Sequence, residues 1–83
     1  MTHADILQRV TEIIRDLAED DDLALRDETV AHDIPAWDSL LNVRLIIAIE
    51  SEFGVRFETA EISGAASPQN VGEMINLIGK KMN

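Results

Sequence analysis

The clearest helical pattern of this chain is "SLLNVRLIIAIESEFG", residues 39–54. Apolar side chains recur along it at three- and four-residue spacing, the period of one face of an α-helix. Asp38 immediately before it has a side chain well suited to cap a helix N-terminus, and Gly54 can end a helix in the left-handed conformation. The sequence therefore predicts a helix from Ser39 to Phe53.

This predicted helix carries more apolar surface than one buried face needs. A stripe with Asn42 at its upper end is enough to face the core of a small bundle, and consists of Leu45, Ile46, Ile49 and Phe53. A helix that is apolar on most of its circumference is either central in its protein or shows a face to a partner. We expect a partner-binding face made of Leu40, Leu41, Val43, Arg44 and Ile47. The alternative, that the preceding loop and a short third helix cover these positions, stays open.

Upstream, the same helical spacing predicts a first helix over about 3–18, with Thr2 as N-cap and Asp5 completing a capping pair. The connection over 19–38 is long for a compact domain, and such loops are functional or held by their own apolar residues. We expect the second case here. The residues predicted to hold this loop to the core are Leu25, Val30 and Ile34.

Downstream, "FETAEISG" predicts a short helix around 59–63 that ends at Gly64. Ser67 and Pro68 then offer an N-cap followed by proline at the first helical position of a last helix. Its apolar residues are Val71, Met74, Ile75 and Ile78. With aromatic residues at only 4% of the chain, the core must be aliphatic. The predicted fold is an all-α four-helix bundle with a long first loop and a short third helix, one domain over residues 1–83.

Composition excludes several classes of function. The 83 residues carry a formal charge of −9, and residues 1–38 hold eleven acidic but three basic side chains, which disfavours nucleic acid and anionic membranes as partners. The chain has no cysteine, so disulfides and thiol nucleophiles are excluded. It shows no signal peptide or membrane span, so we expect a cytoplasmic monomer without membrane insertion. The acidic run 19–22 lacks the spacing of an EF-hand, and no metal site is expected.

The helical pattern does not explain the role of Ser39. A nucleophilic serine needs a base, and the two histidines, His3 and His32, come with no G-x-S-x-G turn around the serine. Capping is already supplied by Asp38. The first turn of a helix has unpaired N–H groups and a partial positive charge, which favour a phosphodiester on a hydroxyl placed there. Ser39 is therefore a candidate attachment point, and no catalytic residue is assigned.

"DSL" at residues 38–40, followed by "VRLIIAIESEFGVRF" and by the Ser67-Pro68 pair, is similar to the acyl carrier proteins over nearly the whole chain. The resemblance implies a covalent 4′-phosphopantetheine on Ser39, whose thiol would account for the missing cysteine. It implies that Asp38 supports loading by the transferase and that Leu40 is presented to partner enzymes. It also implies that an acyl chain can fold into a space lined by Leu45, Ile46, Ile49 and Phe53.

The partners that follow from this resemblance are a phosphopantetheinyl transferase, an acyl-loading ligase or transferase, and downstream condensing or transferring enzymes. Leu41 and Arg44 stand where fatty-acid carriers usually have acidic residues, and Trp37 resembles the "WDS" of stand-alone carriers of specialised pathways. We interpret Trp37 itself as a loop anchor packed against the second helix. The predicted function is an acyl carrier that is not itself an enzyme. The alternatives are an aminoacyl or peptidyl carrier, an unmodified acidic interaction module and, more remotely, a serine hydrolase.

Overall fold

A computed structural model describes residues 2–63 and 67–82. The predicted all-α fold with four α-helices is confirmed. A short 3₁₀-helix, Ala31–Asp33, lies in the long loop and was not predicted. The end of the third helix at Gly64 falls outside the described residues. The α-helices are α1 (His3–Ala18), α2 (Ser39–Phe53), α3 (Thr59–Ser63) and α4 (Val71–Met82).

The first helix starts and ends where its sequence predicts. The Thr2 hydroxyl accepts a hydrogen bond from the Asp5 N–H at 3.1 Å, and the Thr2 N–H donates to the Asp5 carboxylate at 3.1 Å. This reciprocal pair satisfies two backbone N–H groups at the N-terminal end of α1, those of Thr2 and Asp5. At the other end Glu19 adopts φ 54°, a left-handed conformation that ends the helix, so the acidic run 19–22 lies in the loop.

The second helix is also confirmed at both ends. The Asp38 Oδ1 atom accepts from the Leu41 N–H at 2.9 Å, which caps the first turn of α2. Gly54 has φ 66°, and its N–H donates to the Glu50 carbonyl at 2.9 Å. A glycine at this position ends the helix without the steric cost that a side chain has in the left-handed region.

The predicted start of the last helix is wrong. The structure begins α4 at Val71, with the Asn70 Oδ1 atom accepting from the Glu73 N–H at 2.8 Å. The reason is tertiary: the N–H groups of Val71 and Gly72 donate to carbonyls of Thr29 and Asp27, each at 2.8 Å. The long loop thus satisfies donors that every helix leaves free in its first turn, and the helix begins there instead of at Pro68.

The loop and α4 approach so closely that Gly72 has no room for a side chain. A Cβ atom built on Gly72 would lie 3.0 Å from the Asp27 Cβ and 3.1 Å from the Asp27 carbonyl oxygen. From sequence alone this glycine only weakens a helix. In the structure it allows the loop to lie against the first turn of α4.

The core is aliphatic and is centred on α1, α2 and α4. The predicted stripe of α2 faces it, with Leu45 and Ile49 completely buried. Among the loop residues, Leu25 is buried and Ile34 packs against the core, as predicted, whereas Val30 is half-buried and lies outside this cluster. The largest fully buried side chains are Val10, Ile14, Leu45, Ile49, Val71, Ile75 and Ile78.

Candidate functional site

Ser39 lies at the open end of α2 and is exposed. Asp38 before it is exposed too; its carboxylate caps Leu41 and its carbonyl accepts from the Asn42 N–H at 2.9 Å. Within residues 2–63 and 67–82, the N–H groups of Ser39 and Leu40 have no hydrogen-bond acceptor. Two free amide donors and the positive pole of α2 therefore surround the serine hydroxyl, an arrangement that favours a phosphate group.

A groove opens beside Ser39, bounded by α2, α3 and the start of α4. Its volume is about 430 Å³, and Asp38 and Ser39 line one end of it. The apolar walls are formed by Ala31, Trp37, Ile46, Phe57, Ile62, Val71 and Met74. The groove is large enough for part of a small apolar ligand, and such sites are commonly apolar with a few polar groups at the rim.

The sequence-based list of residues lining an acyl space needs correction. Of the four residues named, only Ile46 lines the groove. Leu45 and Ile49 are completely buried in the core, and Phe53 packs against that core without lining the groove. The residues that the sequence did not identify as groove walls, such as Phe57 and Met74, come from outside α2. Packing between helices places them there, and the spacing of residues within one helix does not predict such packing.

Trp37 forms the wall of the groove next to Ser39. Its indole Nε1–H donates to the Asn42 Oδ1 atom at 3.0 Å, and its ring packs against the core cluster. The interpretation of Trp37 as a loop anchor on α2 is confirmed. Because the apolar ring is half-buried and its N–H is paired, it fixes the loop immediately before Asp38 and Ser39.

The opposite wall of the groove is held by a polar cluster around Glu61 of α3. The Glu61 Oε1 atom accepts from the Glu58 N–H and from the Lys81 Nζ, both at 2.8 Å. The Glu58 N–H, followed by Lys81, lowers the pKa of the Glu61 carboxyl below its ordinary value. The Lys81 Nζ also lies 5.5 Å from the centre of the Phe57 ring. These contacts connect α3 to the end of α4.

The predicted partner face is mostly exposed, with one error. Leu40 is 60% exposed, Val43 51% and Ile47 61%, and Arg44 is exposed as well. Leu41, by contrast, is only 7% exposed and belongs to the core. The physical reason is helical geometry, because Leu41 lies four residues before Leu45 and eight before Ile49 and so shares their buried face. That spacing was visible in the sequence and could have identified Leu41 as a core residue.

The structure does not bring a catalytic base or a metal-binding group of side chains to Ser39 among the described residues. Both histidines are exposed, His3 contacts Asp27 at 2.8 Å, and in the described part of the chain neither histidine is hydrogen-bonded to Ser39. The described residues contain no group of three or more side chains able to hold a metal ion. None of the helices described is both long and apolar enough to cross a bilayer.

The small helical bundle thus displays an exposed serine at the positive pole of a helix, beside an apolar groove, an arrangement suited to a covalent attachment. Comparisons with known proteins identify the family. The chain is 38% identical to an acyl carrier protein of Petrotoga mobilis over all of this chain and 94% of that protein. It is 36% identical to one of Thermosynechococcus vestitus over 92% of this chain and 94% of that protein.

The structure is similar to a solution structure of holo acyl carrier protein from Geobacter metallireducens, with a TM-score of 0.80 and 37% identity, covering 92% of this chain and 84% of that one. The chain matches no protein-family profile. Identity of this size over nearly the full length of both chains is sufficient to assign the family. The chain belongs to the acyl carrier protein family.

Proposed function

We propose that this protein carries acyl groups as thioesters on a 4′-phosphopantetheine attached to Ser39, and that it is not itself an enzyme. The group supplies a terminal thiol, which the cysteine-free chain lacks. The observation that carries the proposal is the exposure of Ser39 at the first residue of α2, beside the groove. The family relationship and the holo state of the similar solution structure support it.

Each residue around the serine has a role that follows from its position. The free N–H groups of Ser39 and Leu40 favour the negative charge of a phosphodiester at this helix end. Asp38 caps α2 and thereby keeps the serine in the first turn, and its exposed carboxylate is available to the transferase. The groove walls, with Ile46 and Met74 among them, can cover the apolar part of an acyl chain.

Burial of that acyl chain limits which cargo is favoured. Each methylene group removed from water contributes about 0.8 kcal/mol. Some polar groups at the rim are already paired within the protein, among them Trp37 with Asn42 and Glu61 with Lys81. The apolar walls therefore favour an apolar acyl chain, and a charged amine would be favoured only near the carboxylates of Asp38 and Glu61 at the rim.

The partners of this carrier are a phosphopantetheinyl transferase, an acyl-loading ligase or transferase, and condensing or transferring enzymes downstream. They meet the protein at the open end of α2, where Ser39 and Leu40 are exposed. We propose that the partner face consists of Leu40, Val43, Arg44 and Ile47, without the buried Leu41.

Intact mass spectrometry after incubation with a broad-specificity phosphopantetheinyl transferase and coenzyme A tests the proposal. We expect one phosphopantetheine adduct on the wild type and none on Ser39→Ala. Ser51→Ala is the matched control, because Ser51 is a second exposed serine on α2, and this variant should load like the wild type. Circular dichroism confirms that each variant is helical.

Two results would contradict the proposal. One is an adduct that persists in Ser39→Ala, which would place the attachment elsewhere. The other is a folded wild type that takes up no adduct, which would favour an unmodified acidic interaction module.

A further inference from the structure

The exposed side of α2 carries one cation within an apolar surface. We call Leu40, Val43, Arg44 and Ile47 together the Arg44 face. Three of these side chains are large and apolar and more than half exposed, and they recur at the three- and four-residue spacing of one helix side. The face begins at Leu40, the residue after Ser39, and so lies next to the proposed attachment point.

Arg44 has no partner of opposite charge in its own helix. The positions three and four residues away on either side are Leu40, Leu41, Ile47 and Ala48, all apolar. The ion pairs among the described residues involve His3, Arg9 and Lys81, and Arg44 takes part in none of them. The guanidinium is thus an exposed, always charged group with five donors, and none of residues 2–63 and 67–82 supplies it with an acceptor.

A cleft adjoins Arg44 on the side of α1. Its volume is about 210 Å³, and it runs between Arg44 and Leu40 on α2 and Leu17 and Ala18 at the end of α1. Asp38 lines the same cleft, with its Oδ1 atom occupied by the Leu41 N–H. The cleft has room for one side chain of a partner, next to the guanidinium.

Arg44 is a positive charge on a strongly negative protein, and this contrast restricts the chemistry of the partner. The chain as a whole has a formal charge of −9, and the run 19–22 that follows α1 is exposed and acidic. The net negative charge would attract a uniformly basic partner from a distance. At the contact, however, a basic side chain of that partner would be desolvated next to Arg44, and the repulsion between the two like charges would weaken binding. An anionic membrane would be repelled by the net charge. The partner that matches both features has a carboxylate within an apolar contact surface.

We infer that the acyl-loading enzyme of this carrier docks on the Arg44 face with an apolar surface that holds an aspartate or glutamate against Arg44. This inference rests on the proposed function and adds the chemistry of the partner to it. A carboxylate fits the planar guanidinium through two parallel hydrogen bonds, and such a pair is strengthened when Leu40, Val43 and Ile47 exclude water around it. The pair then fixes the register in which the enzyme faces Ser39.

The test uses the holo protein as the substrate of its own loading enzyme. Protein variants are loaded completely by a broad-specificity transferase, verified by intact mass, and the enzyme is purified from source cells by its ability to form a thioester on the holo wild type. We then measure kcat/KM for wild type, Arg44→Gln, Arg44→Glu and Arg44→Lys. Arg56→Glu is the matched control, an exposed arginine outside the Arg44 face with no ion pair in the described structure.

We expect Arg44→Glu to lower kcat/KM about 100-fold and Arg44→Gln about 10-fold, since truncating one partner of an interfacial charge pair leaves the other unpaired. Arg44→Lys should retain part of the activity, and Arg56→Glu should stay within about twofold of wild type. Arg44→Glu that is as active as wild type, or more active, would overturn the inference. A loss of the same size in Arg56→Glu would overturn it too, because the effect would then be one of net charge.

A compensating substitution sharpens the result. A photoreactive residue in place of Ile47 identifies the enzyme surface at the contact, and each carboxylate found there is replaced by lysine. One such replacement should restore the activity of Arg44→Glu and impair that of wild type; failure of every replacement would overturn the inference.

Two further outcomes are distinguishable from this result. Sedimentation showing a dimer that Arg44→Glu dissociates would assign the face to a second copy of the chain instead. A wild type that never takes up the prosthetic arm would refute the proposed function before the Arg44 variants are compared.

Discussion

The two sides of α2 are built from the same kinds of residues and have opposite surroundings. Leu41 and Ile49 are buried on one side, at 7% and 0% exposure, whereas Leu40 and Ile47 on the other side are about 60% exposed. Hydrophobicity therefore does not distinguish them. The difference arises because Leu41 and Ile49 belong to the side of α2 that packs with α1 in one buried cluster.

The comparison teaches that apolar residues in a small carrier have two separate uses. The buried side supplies the free energy that holds the bundle together, at roughly 25 cal/mol per Å² of apolar surface removed from water. The exposed side contributes nothing of this kind in the free protein and becomes useful when a partner covers it. The formal charge of −9 compensates for the exposed apolar surface, since like charges keep copies of the chain apart.

The sharpest test of this comparison is the pair Ile49→Ala and Ile47→Ala. These isoleucines lie two residues apart in α2, one completely buried and the other 61% exposed. Ile49→Ala should lower the free energy of unfolding by about 2–5 kcal/mol, whereas Ile47→Ala should change it by no more than about 0.5 kcal/mol. Urea denaturation followed by circular dichroism measures both. Equal losses would mean that the two sides are not different.

The adjacent leucines at the start of α2 test stability and function together. Leu41→Ala should cost about 2 kcal/mol of unfolding free energy, at the low end for a buried leucine because the site is at the edge of the core. Leu40→Ala should leave stability within about 0.5 kcal/mol of wild type. In acyl loading of the holo protein the order should reverse, with Leu40→Ala slower than Leu41→Ala. Equal losses of stability in the two variants would contradict the assignment of Leu41 to the core.

Asp38 lies at the N-terminal end of α2, next to both sides of the helix in sequence, and its substitution separates capping from loading. Asp38→Ala removes the acceptor of the Leu41 N–H and should cost about 1 kcal/mol of unfolding free energy. Asp38→Asn keeps an acceptor and should cost almost nothing, so any slowing of transferase loading in this variant reports on the negative charge alone. Thermal denaturation and the initial rate of adduct formation provide the two measurements. Loading by Asp38→Asn at the wild-type rate would leave Asp38 with capping only.

The smallest expected effect concerns the contact between α3 and the end of α4, where Glu61 pairs with Lys81. Hydrogen bonds from the Glu58 N–H and from Lys81 lower the pKa of Glu61 from the ordinary 4.5. A lowered pKa in the folded state contributes stability above the unfolded value, which is lost as the pH falls through the folded value. The denaturation midpoint of wild type should therefore decline below about pH 4.5 more steeply than that of Glu61→Gln. Parallel declines would show that the ionised Glu61 carboxylate, with its contacts to the Glu58 N–H and Lys81, does not stabilise the fold.

Most helix boundaries were predictable because their signals are local. The capping pair of Thr2 and Asp5, the cap at Asp38 and the left-handed Gly54 each act over a few residues, so the chain carries them wherever it folds. The start of α4 was not predictable in this way. It is set by carbonyls of Asp27 and Thr29, more than forty residues earlier in the chain, which satisfy the first N–H groups of the helix.

The candidate site divides along the same line. Ser39, Asp38 and Leu40 were predicted as site residues from the "DSL" motif, the helix start and the pattern of the second helix that follows. The groove next to them was not, because Phe57, Ile62 and Met74 are brought to α2 by the packing of three separate segments.

Local patterns in the sequence were enough to predict four helices and a serine at the positive end of the most apolar one. Periodicity and capping are properties of neighbouring residues and need no partner in space. Only the tertiary structure decided that Leu41 is buried and Leu40 exposed, that α4 starts at Val71, and which residues line the groove. The physical reason is that a helix offers several apolar sides, and the choice among them depends on which segments pack against it, not on the helix alone.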